Sequence, residues 1–191
     1  MKGVLERVVK AGVRGEVKRV VVTGSECTGK TTLAVALATH YQVPWVPEFA
    51  RRFVAEKGAA PVFADVEAIA RGQVALEDKV AATTTTLLIQ DTDLLSTVVY
   101  SHHYYGACPA WVEAALQERC ADLYLLAGID VPWVADGDQR DRGDSRLQMQ
   151  DLFRRALLDR SLPFCEIKGS VEARVEQAAA VIRDATEVRG S

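Results

Sequence analysis

Two hydrophobic periods alternate along the chain. Short β-branched or leucine-rich runs recur, and between them apolar residues return every three or four positions. "KRVVVTG" ends in Gly24 and reads as a first, buried strand. From Thr31 to Tyr41 the residues Leu33, Leu37 and Tyr41 make one stripe, with Ala34 and Ala38 beside it. That pattern predicts a helix lying close to a sheet. "VPWVPEF" reads as a short second strand, its two prolines suiting an edge or a strand end. Asp65 to Ala82 is a long helical pattern with Asp65 as its N-cap.

Leu87 to Gln90 reads as a third strand, which delivers Asp91 to its C-terminal end. Thr92 to Tyr100 and Ala110 to Arg119 read as helices, separated by the aromatic loop "SHHYYGACPAW". "DLYLLAG" is a fourth strand, Leu147 to Arg160 a helix, "PFCEIKG" a fifth strand, and Ser170 to Glu187 a closing amphipathic helix. "DVPWVADGDQRDRGDSR" has no periodicity and is rich in charge and glycine, so it reads as a flexible loop or lid. The alternation predicts an α/β chain, a five-stranded parallel sheet flanked by helices. Residues 18–187 form one domain in this reading, and 1–17 a basic arm or short helix before it.

Composition narrows the function classes. The 191 residues carry a net charge of −3, which leaves no general basic surface for nucleic acid. No apolar run approaches the ~18 residues of a membrane span, and no secretory leader pattern opens the chain. Cys27, Cys108, Cys120 and Cys165 form no CxxC pair, and His40, His102 and His103 complete no ligand set at zinc spacing. Reduced thiols in a cytoplasmic protein are the expectation.

The segment Gly24-Ser25-Glu26-Cys27-Thr28-Gly29-Lys30-Thr31, followed by Thr32, matches GxxxxGK[ST] between a predicted strand and a predicted helix. Glycines at both ends let the backbone wrap phosphate oxygens, and the helix that follows aims its N–H groups and positive dipole end at the anion. Lys30 reaches the β- and γ-phosphates, and the Thr31 hydroxyl is suited to Mg²⁺. ATP and Mg²⁺ are therefore the expected cofactors.

A phosphate loop does not name the acceptor. No guanine-reading NKxD segment is present, and the length suits a small-molecule kinase better than a motor. Such a kinase needs a carboxylate to orient or deprotonate a hydroxyl, a strand-end carboxylate on the metal side, and an arginine-bearing lid. Glu48, with Arg51 and Arg52 after it, fits the first part. Asp91, with Asp93 two residues on, fits the second, and Arg140, Arg142 and Arg146 fit the third. Arg140 is the first choice for transition-state charge, and Tyr104 and Trp133 are candidates to touch a flat ligand ring. In an open parallel sheet these groups gather at the carboxyl ends of the strands.

"GSECTGKTTL", then "WVPEFARRF", "IQDTD", "YYG" and "WVADGDQR" together resemble the ribosylnicotinamide kinase domain of NadR-type proteins over about Val20 to Asp184. The resemblance implies a P-loop kinase fold with a lid, and phosphorylation of nicotinamide riboside to nicotinamide mononucleotide in NAD salvage. It implies that Glu48 handles the ribose hydroxyls and that Asp91 is the metal-side carboxylate. With fewer than 20 residues before the first strand and no HxGH motif, neither an adenylyltransferase nor a repressor activity is expected. Two alternatives stay open: a kinase for another nucleoside, and a nucleotide-dependent regulatory ATPase.

Overall fold

The computed structural model describes residues 17–131 and 143–187. Five strands form one parallel sheet: β1 (Lys18–Thr23), β2 (Trp45–Val46), β3 (Leu87–Asp91), β4 (Leu123–Ala127) and β5 (Phe164–Ile167), in the order β2-β3-β1-β4-β5. The connecting helices are α1 (Lys30–Tyr41), α2 (Phe49–Lys57), α3 (Val66–Ala81), α4 (Leu94–Tyr105), α5 (Ala110–Arg119), α6 (Gly143–Asp159) and α7 (Val171–Glu187). This is the predicted doubly covered parallel sheet. The central strand β1 sits where the strand order reverses, so its carboxyl end opens into the crevice that α/β folds use for ligands.

The strand period of two sorts the core into two layers. Val20, Val22, Ile89 and Leu125 face α1 and α7, meeting Leu33, Leu37, Ala178 and Ile182. Val21, Tyr124 and Leu126 face the other way, against α4, α5 and α6 through Leu95, Leu116 and Phe153. Strands buried on both faces read as the continuous apolar runs seen in the sequence. No helix among the described residues is long and apolar enough to cross a membrane.

Several boundaries differ from the sequence reading, among them the start of α6, which at Gly143 takes in the last part of the predicted lid with Arg146. The second strand is only Trp45–Val46, and Phe49 opens helix α2 instead of closing a strand. Helix α2 buries no residue fully, so it carries no continuous apolar stripe to announce it. Helix α4 runs on to Tyr105, taking in the first part of the aromatic loop. Asp65 precedes α3 as expected, but its side chain accepts from Val62 N–H (2.8 Å) and pairs with Lys57 instead of capping the helix.

Candidate active site

The phosphate loop leaves β1 at Gly24, whose φ of 129° favours glycine and whose added Cβ would stand 3.1 Å from Ala127 O. It ends at Gly29, the N-cap of α1. No side chain caps this helix, and no acidic residue stands in its first turn. Its N-terminal amides and dipole are thus left for an anion. Across the loop, Thr28 Oγ1 (2.9 Å) and Lys30 Nζ (2.8 Å) both donate to Ser25 O.

The loop is tied to the core by three side chains from two more helices. Gln150 of α6 accepts from Ser25 N–H (3.1 Å) and donates to Ala127 O (3.0 Å). Arg146, also on α6, donates to Cys27 O (2.9 Å) and Val131 O (3.1 Å). Arg174 of α7 donates to Thr28 O (2.7 Å), Gly169 O (2.9 Å), Gly128 O (3.0 Å) and Asp130 Oδ1 (2.8 Å). Arg146 and Arg174 are buried. Charge-assisted bonds of this kind fix the peptide units that must meet a ligand. Gln150 and Arg174 were not singled out in the sequence. They lie more than a hundred residues from the loop, and a lone arginine or glutamine on a helix carries no local signal.

On the β3 side, Thr31 Oγ1 donates to Asp91 Oδ2 at 2.6 Å. Asp91 is the last residue of β3, in register with Val22 of β1. Its Oδ1 is buried with no hydrogen-bond partner among the described residues. Burial pushes the Asp91 carboxyl up, and the neighbouring Glu48 adds to this, against the Thr31 hydrogen bond and Lys30. Burial lowers the Lys30 ammonium, against the attraction of Glu48 and Asp91. Lys30, Thr31, Asp91 and Glu48 therefore share one electrostatic neighbourhood. Thr92, directly after Asp91, holds φ at 67°, a costly conformation for a β-branched residue; its N–H is fixed by Val22 O (3.0 Å).

Glu48 occupies the N-cap position of α2 and accepts from Arg51 Nε at 2.9 Å. Buried Gln73 of α3 accepts from Phe49 N–H (2.9 Å) and donates to Glu77 Oε1 (3.2 Å). The Phe49 ring packs against Gly72, where an added Cβ would stand 2.1 Å from it. Gln73 was not predicted either, since its function lies in a backbone contact across two helices.

A cavity of about 610 Å³ opens at this edge of the sheet, lined among others by Cys27, Lys30, Thr31, Arg51, Ser170 and Arg174. Gly29 and Thr32 also face it. The predicted phosphate-loop residues, Asp91, Glu48 and Arg51 are thus brought together. Asp93 stands apart: it N-caps α4 through Leu95 N–H (2.9 Å) and accepts from Tyr124 Oη (2.8 Å) inside the core. Burial pushes its carboxyl up to about 7, with Glu77 adding to the shift. Tyr104 lies on α4, stacked parallel on Tyr100 with ring centres 6.0 Å apart. Arg140, Arg142 and Trp133, with most of the predicted lid, fall outside the described residues.

Comparison with known proteins follows the same lines. The AAA domain family matches residues 19–174. The trifunctional NAD biosynthesis/regulator protein NadR of Salmonella typhimurium is 30% identical over 158 residues, which cover 80% of this chain and 38% of that protein. The chain thus spans well under half the length of this curated relative. Among solved structures, a NadR protein in complex with NR superposes with a TM-score of 0.67 at 22% identity, over 89% of this chain and 52% of that one. A thymidylate kinase from Ehrlichia chaffeensis gives a TM-score of 0.67 at 13% identity, over 88% of this chain and 99% of that one. The fold is that of P-loop nucleoside and nucleotide kinases, and the chain belongs to the AAA domain family.

Proposed function

We propose that this protein is an ATP- and Mg²⁺-dependent kinase that phosphorylates nicotinamide riboside on its 5′-hydroxyl, giving nicotinamide mononucleotide for NAD salvage. The observation that carries the reading is the convergence of Lys30, Thr31 and Asp91 with Glu48 and Arg51 at one sheet edge. A protein that only senses a nucleotide needs the first three but not an acceptor carboxylate facing them. Similarity to NadR supports nicotinamide riboside as the acceptor.

In this reading the loop amides and Lys30 hold the β- and γ-phosphates, and the cluster of donors stabilises charge on the transferred phosphoryl group. Glu48 accepts or orients the ribose hydroxyl proton, with Arg51 holding its carboxylate in place. The hard oxygen donors Thr31 Oγ1 and the unpartnered Asp91 Oδ1 fit Mg²⁺, which would neutralise phosphate charge there. Arg140 is proposed as the lid arginine, and Tyr104 and Trp133 as ring contacts; Asp93, a substrate contact in the sequence reading, is spent in the core on Leu95 N–H and Tyr124. The cytoplasm is the proposed location, in keeping with the four free cysteines.

The test is ADP release with MgATP, comparing nicotinamide riboside with no acceptor and with a panel of other nucleosides. Stimulation by nicotinamide riboside above all others supports the proposal. Stimulation by another nucleoside keeps the chemistry and replaces the acceptor. Acceptor-independent hydrolysis favours a regulatory ATPase and removes the role given to Glu48.

A further inference from the structure

Away from the phosphate loop, the turn between α4 and α5 gathers three side chains that the sequence spacing did not join. His102 lies in the last turn of α4, which Gly106 ends by donating its N–H to His102 O at 2.9 Å. Ser101 Oγ donates to Ala107 O at 2.6 Å and folds the turn back on the helix. Pro109 then opens α5, and Glu113 stands in its first turn. As a result one donor atom each from His102, Cys108 and Glu113 lie within 4.8 Å of one another. His102 Nε2 and Glu113 Oε1 are 2.7 Å apart.

We propose that His102, Cys108 and Glu113 form a zinc site that clips the end of α4 to the start of α5. An imidazole nitrogen, a thiolate sulfur and a carboxylate oxygen are a donor set suited to Zn²⁺ rather than to Mg²⁺ or Ca²⁺. Tetrahedral ligands at ~2.0–2.3 Å from zinc stand roughly 3.3–3.8 Å apart, so side-chain shifts of about 1 Å, which part His102 Nε2 from Glu113 Oε1, bring the cluster to the spacing of an ion's ligands. The thiol gives up its proton on binding, and the thiolate and carboxylate charges then match the dication. Glu113 already has an outer partner: Arg160 Nη2 donates to its Oε2 at 2.9 Å and leaves Oε1 turned to His102. Such outer bonds orient ligating carboxylates. His102 is exposed, so the fourth position opens to solvent and takes water. The sequence spacing H-x5-C-x4-E belongs to no common zinc motif, and only the turn geometry brings the three together.

The test uses the full chain without nucleotide, since ATP itself chelates metals. Zn²⁺ is titrated in competition with a chelating dye, and Co²⁺ is titrated in parallel for its thiolate-to-metal absorption band. The expected result is one Zn²⁺ per chain, a rise in thermal midpoint with zinc, and a thiolate band. All three are lost in Cys108→Ser and kept in Cys120→Ser. Arg160→Met, which leaves the three ligands in place, weakens zinc binding about 10- to 100-fold. A thiolate band that survives in Cys108→Ser, or no band in the wild type, overturns the proposal. So does zinc binding unchanged by His102→Ala and Glu113→Gln.

Discussion

Helices α1 and α2 both begin at the carboxyl ends of the strands, beside the candidate site, and they are held in opposite ways. Helix α1 sinks Lys30, Leu33, Ala34, Leu37 and Ala38 into the core, and buried Gln150, Arg146 and Arg174 grip the loop before it. Helix α2 buries no residue fully. Phe49 against Gly72 and the Phe49 N–H bond to Gln73 are its main inward ties at the Glu48 end. The contrast is physical. A phosphate group is the same in every nucleotide, so its cradle gains from rigidity. The proposed acceptor site, carried on a lightly anchored helix, would adapt with few substitutions, since local stability follows the density of buried contacts.

The largest effects should separate the two regions by chemistry. In the proposed reaction, Glu48→Gln lowers kcat by roughly 10²–10⁴-fold while nucleotide affinity stays near wild type, because a general base contributes on that scale. Lys30→Ala lowers turnover by about 10²–10³-fold and weakens nucleotide binding as well. Steady-state kinetics beside direct nucleotide titration distinguishes the two. Equal loss of nucleotide binding in both variants would erase the distinction between a donor region and an acceptor region.

Next in size is Arg174→Met, which leaves three loop carbonyls and Asp130 without their shared donor. Unfolding free energy should fall by on the order of 3 kcal/mol, measured by urea denaturation. Gln73→Leu should cost about 1–3 kcal/mol, since it orphans the Phe49 N–H and one bond to Glu77. Hydrogen exchange should then quicken in α2 and not in α1. Exchange that quickens equally in both would contradict the comparison.

Much of this organisation is legible in the residues themselves. The strands are recognisable because each is a dense apolar run, and Gly24 to Thr31 because phosphate binding demands glycine, lysine and a hydroxyl at fixed spacing. Asp91 is legible as the residue at which an apolar run ends. Helix α2 is not, because an exposed helix between prolines and glycine lacks the stripe that marks a buried one. The clamp of Arg174 and Gln150 is invisible for another reason: it depends on which helix returns to the loop, a property of topology and not of any window of sequence. Asp93 shows the limit of reading by proximity. Two residues after Asp91, it points into the core to meet Tyr124, with the left-handed Thr92 redirecting the backbone between them.

The effect expected to be least visible at one pH is that of Asp93. Its folded carboxyl is raised to about 7, above the ordinary unfolded value near 3.8. The folded state therefore holds the proton more tightly. The group costs nothing while both states are protonated, and stability falls as pH rises from the unfolded value through about 7. Asp93→Asn keeps a buried amide at the cap and should flatten this decline when denaturation midpoints are compared from pH 5 to 8. A decline of equal slope in the variant would assign the pH dependence elsewhere.

The central claim, that this active edge moves a phosphoryl group to a nucleoside and not to water, is tested most directly by product stoichiometry. Enzyme, MgATP and nicotinamide riboside are mixed, and ADP and mononucleotide are quantified together by mass spectrometry. The account predicts one mononucleotide formed for each ADP. ADP accumulating with inorganic phosphate and no phosphorylated nucleoside would contradict it.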